Sequence, residues 1–107
     1  MKKTLFILAA LALGCSMQAQ AKGSYEAGKA KSTSCAGCHG PMGVSATPSF
    51  PTLAGQHRDY LYHSLKDYKS GKRTNPIMAG QVQTLTETDM LDLATFFSQQ
   101  TGLTLKY

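Results

Sequence analysis

The 107-residue sequence is short of cysteine, with three, and has no apolar run long enough to cross a bilayer. Its longest such run, residues 5–13, holds nine residues, whereas a spanning helix needs about 20. Stable membrane insertion is therefore not expected. Internal repeats, long low-complexity segments and alternating strand-like runs are missing too, which leaves an all-α chain as the expectation. Acidic residues are few, 6 Asp+Glu against 11 Lys+Arg. The basic excess is too thin for nucleic acid, which calls for a dense basic stripe interleaved with aromatics. It suits loose docking on an acidic patch of another protein. No acid/base or nucleophile constellation offers itself as an enzyme site, so the chain is not expected to be an enzyme.

Lys2 and Lys3 precede the apolar run and small residues follow it, the layout of a secretory signal peptide, with Ala19-Gln20-Ala21 as the small-x-small cleavage site. The expectation is a leader at residues 1–21 and a mature domain at 22–107, exported to the periplasm. Cys15 follows Ala12-Leu13-Gly14 and raises the alternative of a lipidated N-terminus. There the large apolar residue sits one position too close to the cysteine, and plain cleavage is the preferred reading. Without the leader the chain keeps 9 Lys+Arg against 6 Asp+Glu, a formal charge of +3, and two cysteines. A single domain of this size buries a modest core and usually needs a staple.

Glycine and proline divide the mature chain into blocks. Residues 24 to about 34 read as a helix with Ser24 as N-cap. Residues 40–55 carry Pro41, Pro48 and Pro51 with Gly40, Gly43 and Gly55, and read as a long loop of the kind that wraps a functional element. From 56 to 70 helix returns, with Leu61, Leu65 and Tyr68 on one stripe, and Gly71 ends it. Residues 72–85, broken by Pro76 and Gly80, read as a second loop. The last helix starts at Thr86, where Asp89 completes a capping box, places Met90, Leu93, Ala94 and Phe97 on its apolar stripe and ends near Gly102.

Cys35-Ala36-Gly37-Cys38-His39 is the C-x-x-C-H pattern of c-type haem attachment. Two thiols separated by two small residues can reach two vinyl groups of one porphyrin, and the adjacent imidazole then falls beneath the iron. A structural disulfide is a poor alternative, because so short a loop stabilises little. A thioredoxin-like pair needs a βαβ context, which is missing. A zinc site needs a second pair of ligands, and the six-residue spacing of His57 and His63 suits neither the usual intervals nor one helical face.

A haem iron with one histidine has a sixth position, and its occupant separates electron transfer from gas binding or catalysis. The candidates are Met42, Met78, Met90, His57 and His63. Met42 lies too near His39, Met90 belongs to a core stripe, and the two histidines read as surface residues. Met78 stands between Pro76 and Gly80 with no periodic core to join, and is the expected ligand. A soft thioether favours reduced iron, so His/Met ligation implies a raised potential and a closed, low-spin centre.

With CAGCHG at 35–40, FPTLAGQ at 50–56, YKSGKRTNPIMAG at 68–80 and LTETDMLDLATFFSQQ at 85–100, the mature chain resembles the class I c-type cytochromes, especially small bacterial mono-haem proteins of the c-553 kind and the halves of di-haem cytochromes c-4. The resemblance implies a cytochrome c fold of three to four helices around one covalent haem c. It implies that the first and last helices cross, with Gly28 and Phe97 as the small and aromatic residues of the crossing. It assigns the carbonyl of Pro51 as acceptor for the proximal His39, which would raise its donor strength. Where some relatives have a second methionine, this chain has Gln81. Lys72 and Arg73 are candidates for haem propionates or a docking surface, with solvated charge an equal alternative. The implied function is a one-electron carrier between a protein donor and a terminal oxidase or other reductase. The alternatives are a haem-bearing subunit held in a larger oxidoreductase, and a haem enzyme or gas sensor.

Overall fold

The computed structural model describes residues 22–106, so the leader and Cys15 expectations lie outside the described residues. Its elements in chain order are α1 (Tyr25–Lys31), α2 (Thr33–His39), α3 (Arg58–Ser70), α4 (Pro76–Val82) and α5 (Glu87–Ser98). No strand occurs among the described residues, and no helix there is long and apolar enough to cross a membrane. The all-α class holds, with five helices among the described residues in place of three to four. Two local events account for the difference.

The first is at Ser32. Ser24 opens α1 in an extended conformation and its hydroxyl accepts from the Ala27 N–H at 3.2 Å. Eight residues later the buried Ser32 hydroxyl donates to the Lys29 carbonyl at 2.8 Å, a local bond that competes with continuation of the helix. The helix expected from 24 to about 34 therefore breaks at Ser32, and α2 restarts to carry residues 33–39.

The second is at Asn75. Residues 72–85 do not form a continuous loop: Pro76 begins α4 because proline at the first helical position lacks only an N–H that has no helical partner anyway. Asn75 caps the helix from an extended backbone. Read as a breaker, Pro76 is in fact a starter.

α5 organises the core. Its capping box is complete: the Thr86 hydroxyl accepts from the Asp89 N–H at 3.1 Å, and the Asp89 carboxylate accepts from the Thr86 N–H at 2.9 Å. Met90, Leu93, Ala94, Phe96 and Phe97 are all buried. The helix stops at Ser98, short of Gly102. α1 crosses it at Gly28, where an added Cβ would stand 2.0 Å from the Asp92 carbonyl oxygen and 2.8 Å from Cβ of Phe96. Glycine is what lets the helices approach this closely. The aromatic partner in the crossing is Phe96, whose ring also meets Tyr25 at 5.3 Å between centroids, and not the expected Phe97. One residue turns the helix by about 100°, which directs Phe97 to the opposite task of lining the cavity described below.

Two polar residues of α5 are buried toward α1. Asp92, 4% exposed, accepts from the Ser24 N–H and from Lys31 Nζ at 2.7 Å each. Lys31 Nζ also lies 2.7 Å from the Asp89 carboxylate. The Thr95 hydroxyl is within 2.8 Å of the Lys22 and Leu91 carbonyls. These bonds clamp the first described residues to the last helix. α3, closed by Gly71 in the left-handed conformation, packs on α5 through the buried Leu61, which joins Leu93, Ala94, Phe96 and Phe97 in one cluster.

Candidate functional site

Because α2 is helical through the whole C-x-x-C-H segment, Cys35, Cys38 and His39 stand at i, i+3 and i+4 on one face. The thiols do not pair with each other. Cys35 is half-buried and Cys38 exposed. Burial pushes the Cys35 thiol above its ordinary range, the Ser34 hydroxyl opposes part of that rise, and the neighbouring Cys38 adds a lesser increase.

His39 is buried, and Nδ1 donates to the Pro51 carbonyl oxygen at 2.7 Å. A carbonyl can only accept, so the proton is on Nδ1 and Nε2 is left as the basic nitrogen. The loop that brings Pro51 here is closed on itself. Its start, Gly43, has φ 79°, and its carbonyl accepts from the N–H groups of Leu53 and Ala54 at 2.7 and 3.1 Å. A side chain at Gly43 would strike Phe97 at 2.7 Å. The Thr52 hydroxyl accepts from the Ser45 N–H at 3.1 Å inside the loop, and the Phe50 ring stands edge-on to the His39 imidazole, 6.4 Å between centroids.

These elements enclose a cavity of about 350 Å³. α2 supplies Cys35, Cys38 and His39; the loop supplies Phe50, Pro51 and Leu53; α3 supplies Leu61, Leu65 and Tyr68; α4 supplies Met78 and Val82; α5 supplies Leu93, Ala94 and Phe97. Of the five residues weighed for a sixth iron position, Met78 lines this cavity and Met42, Met90, His57 and His63 do not. Met42 is 51% exposed on the loop, and Met90 is buried in the core. Arg73 is the one Lys, Arg, Asp or Glu in the lining, its guanidinium 4.9 Å over the Tyr68 ring and donating to the Ser64 hydroxyl at 3.2 Å. Lys72 is exposed and outside the lining.

The residues present fit a haem. The donor set is one imidazole with its outer nitrogen fixed and one thioether, the nitrogen and soft sulfur that suit iron. Two thiols stand on the same helix face as the imidazole, and the walls are mostly aliphatic and aromatic. No group of three or more His, Cys, Asp and Glu able to hold a metal occurs among the described residues, which leaves no zinc-type cluster. The sequence reading passed over Asn75, which lines the cavity and holds the turn that carries Met78. Its signal was the Asn75-Pro76 dipeptide, a good N-cap followed by a good first residue.

Residues 25–101 match the profile of the family described as "Cytochrome c". The chain is 42% identical over 96 residues to cytochrome c4 of Pseudomonas aeruginosa, covering 90% of this chain and 48% of that protein. It is 36% identical over 81 residues to cytochrome c-554(548) of Halomonas halodenitrificans, covering 73% of this chain and 98% of that protein. Among solved structures, reduced recombinant cytochrome c4 from Pseudomonas stutzeri superposes with a TM-score of 0.72 at 39% identity, covering 76% of this chain and 47% of that one. The chain thus spans about half the length of the cytochrome c4 relatives it matches.

Proposed function

The chain belongs to the cytochrome c family, whose members bind haem c covalently, and on that premise we propose that it is a periplasmic one-electron carrier serving protein redox partners. The observation that carries the reading is the convergence of Cys35, Cys38, His39 and Met78 on one apolar cavity. In this reading Cys35 and Cys38 would hold the haem through two thioether bonds, each the product of adding one S–H across one vinyl group. His39 through Nε2 and Met78 through Sδ would hold its iron. When bound, the haem supplies an iron that alternates between ferric and ferrous states.

The protein's own part is to keep that exchange simple. Pro51 fixes the tautomer and orientation of His39 through the 2.7 Å bond to Nδ1, which raises the donor strength of Nε2. Leu61, Leu93, Ala94 and Phe97 exclude water from the inner wall, lowering the local dielectric and with it the stability of the more highly charged ferric state. With His39 and Met78 both holding the iron, the chain would transfer electrons without transforming a substrate. Cys38 is exposed, and on that side a bound haem would be open to a partner. We place this domain at residues 22–107, with 1–21 as a leader removed on export and plain cleavage favoured over lipidation at Cys15.

A redox-titrated optical spectrum of the holoprotein tests the reading. It should give sharp low-spin c-type bands, a raised potential and no carbon monoxide binding. Met78→Ala should switch the centre to high-spin or to an adventitious ligand. Rapid carbon monoxide binding by the unaltered reduced protein would exclude the carrier assignment.

A further inference from the structure

Met78 is carried by an element that little else holds. α4 has seven residues, and a helix of that length is not stable in water by itself. Val82 is its one buried residue, and Ile77 near its start is 60% exposed. At the end away from Val82, one side chain gathers the backbone: Asn75 Oδ1 accepts from the N–H groups of Ile77 and Met78 at 3.0 Å each. The Asn75 carbonyl also accepts from the Ala79 N–H at 2.8 Å. The residue that caps the helix is therefore bonded directly to the backbone of Met78.

We propose that Asn75 is a positioning residue for the sixth ligand: by capping α4 it sets the equilibrium for opening the turn that carries Met78, and so how readily Met78 yields its place to an outside ligand. The inference rests on the reading of Met78 as that ligand. A local opening depends on the contacts of the opened segment, and for α4 those contacts are the Asn75 cap at one end, Val82 at the other and the packing of the helix on α3. Gly80 offers a second lever on the same equilibrium. It lies inside α4, outside the cavity lining, and an added Cβ there meets no atom within 4 Å. Gly80→Ala should therefore favour the closed helix through backbone propensity alone.

The test is an imidazole titration of the ferric holoprotein, followed by its optical spectrum at fixed pH beside a guanidinium unfolding curve. Loss of the cap in Asn75→Ala should tighten imidazole binding about fivefold. Asn75→Ser, which keeps an acceptor, should return close to the original affinity. Gly80→Ala should weaken binding, by up to about fivefold. A cap with a merely structural role would lower the unfolding midpoint of Asn75→Ala and leave imidazole affinity unchanged, and that result overturns the proposal. If Asn75→Ala does not fold, Gly80→Ala decides alone, with unchanged affinity counting against the proposal. Met78→Ala separates the two layers. An unaltered spectrum removes both the ligand reading and the inference, whereas a changed spectrum with Asn75→Ala and Gly80→Ala matching the parent removes the inference only.

Discussion

Replacing Lys31 with methionine should unfold the clamp between the first and last helices and little else. Methionine preserves most of the apolar stem that lysine lays along the surface, so the change isolates the charge. Lys31 Nζ is 2.7 Å from a carboxylate oxygen of Asp89 and 2.7 Å from one of Asp92, and the side chains of Lys31, Asp89 and Asp92 are 33%, 25% and 5% exposed. Breaking a fully buried pair costs about 3–5 kcal/mol, and an exposed pair contributes about 0–1 kcal/mol. With one carboxylate buried and the other partly wet, the expected loss is about 2–3 kcal/mol. In a domain of this size that lowers Tm by about 10–20 °C.

The acid limb gives an independent reading of the same contact. Lys31, and after it the Thr86 backbone, hold the Asp89 carboxyl down from 3.8 to about 2. Its folded value lies below its unfolded one, so its contribution is complete above pH ~4 and is lost as pH falls toward about 2. Lys31 itself is raised by Asp89 and then Asp92, so its share is complete below its ordinary 10.5 and is lost as pH rises beyond it. These are two views of one interaction and do not add. In Lys31→Met the dependence between pH ~4 and ~2 should flatten but not vanish, since Thr86 still bonds Asp89. Guanidinium unfolding of the holoprotein by far-ultraviolet dichroism, repeated across pH, measures both effects. A variant within about 0.5 kcal/mol of the parent at pH 7, the spread of an ordinary surface change, would refute the reasoning.

Other outcomes follow from the helix contacts. Gly28→Ala would gain about 1 kcal/mol in an open helix, but here the new methyl meets backbone of α5 on arrival. The sign should reverse to a loss of about 3 kcal/mol or more, read as a collapse in Tm or failure of the holoprotein to accumulate; a neutral or stabilised variant would contradict the close crossing. Thr86→Ala removes half of the capping box and should cost about 1 kcal/mol, or about 4–8 °C in a thermal melt, with Thr86→Ser recovering most of it.

What the sequence made legible was local chemistry. The capping box needs two residues three apart, and Gly71 needs only its own missing Cβ, so both helix ends could be read from neighbours along the chain. The all-α class followed from periodicity. Misreadings arose where one residue has two local meanings. Pro76 can stop a helix or begin one, and the choice belonged to Asn75 before it. Ser32 could continue α1 or turn its hydroxyl back on Lys29, and it does the second. Contacts between distant residues left no local trace: Lys31 and Asp92 are 61 residues apart, and nothing in their surroundings marks them as a buried pair. The choice between Phe96 and Phe97 at the Gly28 crossing turned on helix rotation, which an apolar stripe of adjacent aromatics does not resolve. The cavity set was easier, because thiol, imidazole and thioether side chains are scarce and each has few plausible duties.

The doubly bonded carbonyl of Gly43 has a consequence for how this architecture can vary. Because Leu53 and Ala54 both return to that one oxygen, residues 44–52 form a loop whose feet are fastened together beside α5. Its length is thereby uncoupled from the position of its feet. Doubling such a loop costs only about 0.6 kcal/mol in closure entropy, and the exposed tip at Ala46, Thr47, Pro48 and Ser49 is where added residues would be accommodated. Lineages can lengthen, shorten or redecorate this tip, and so change the face shown to a neighbour, while the carbonyl that steadies the imidazole keeps its address.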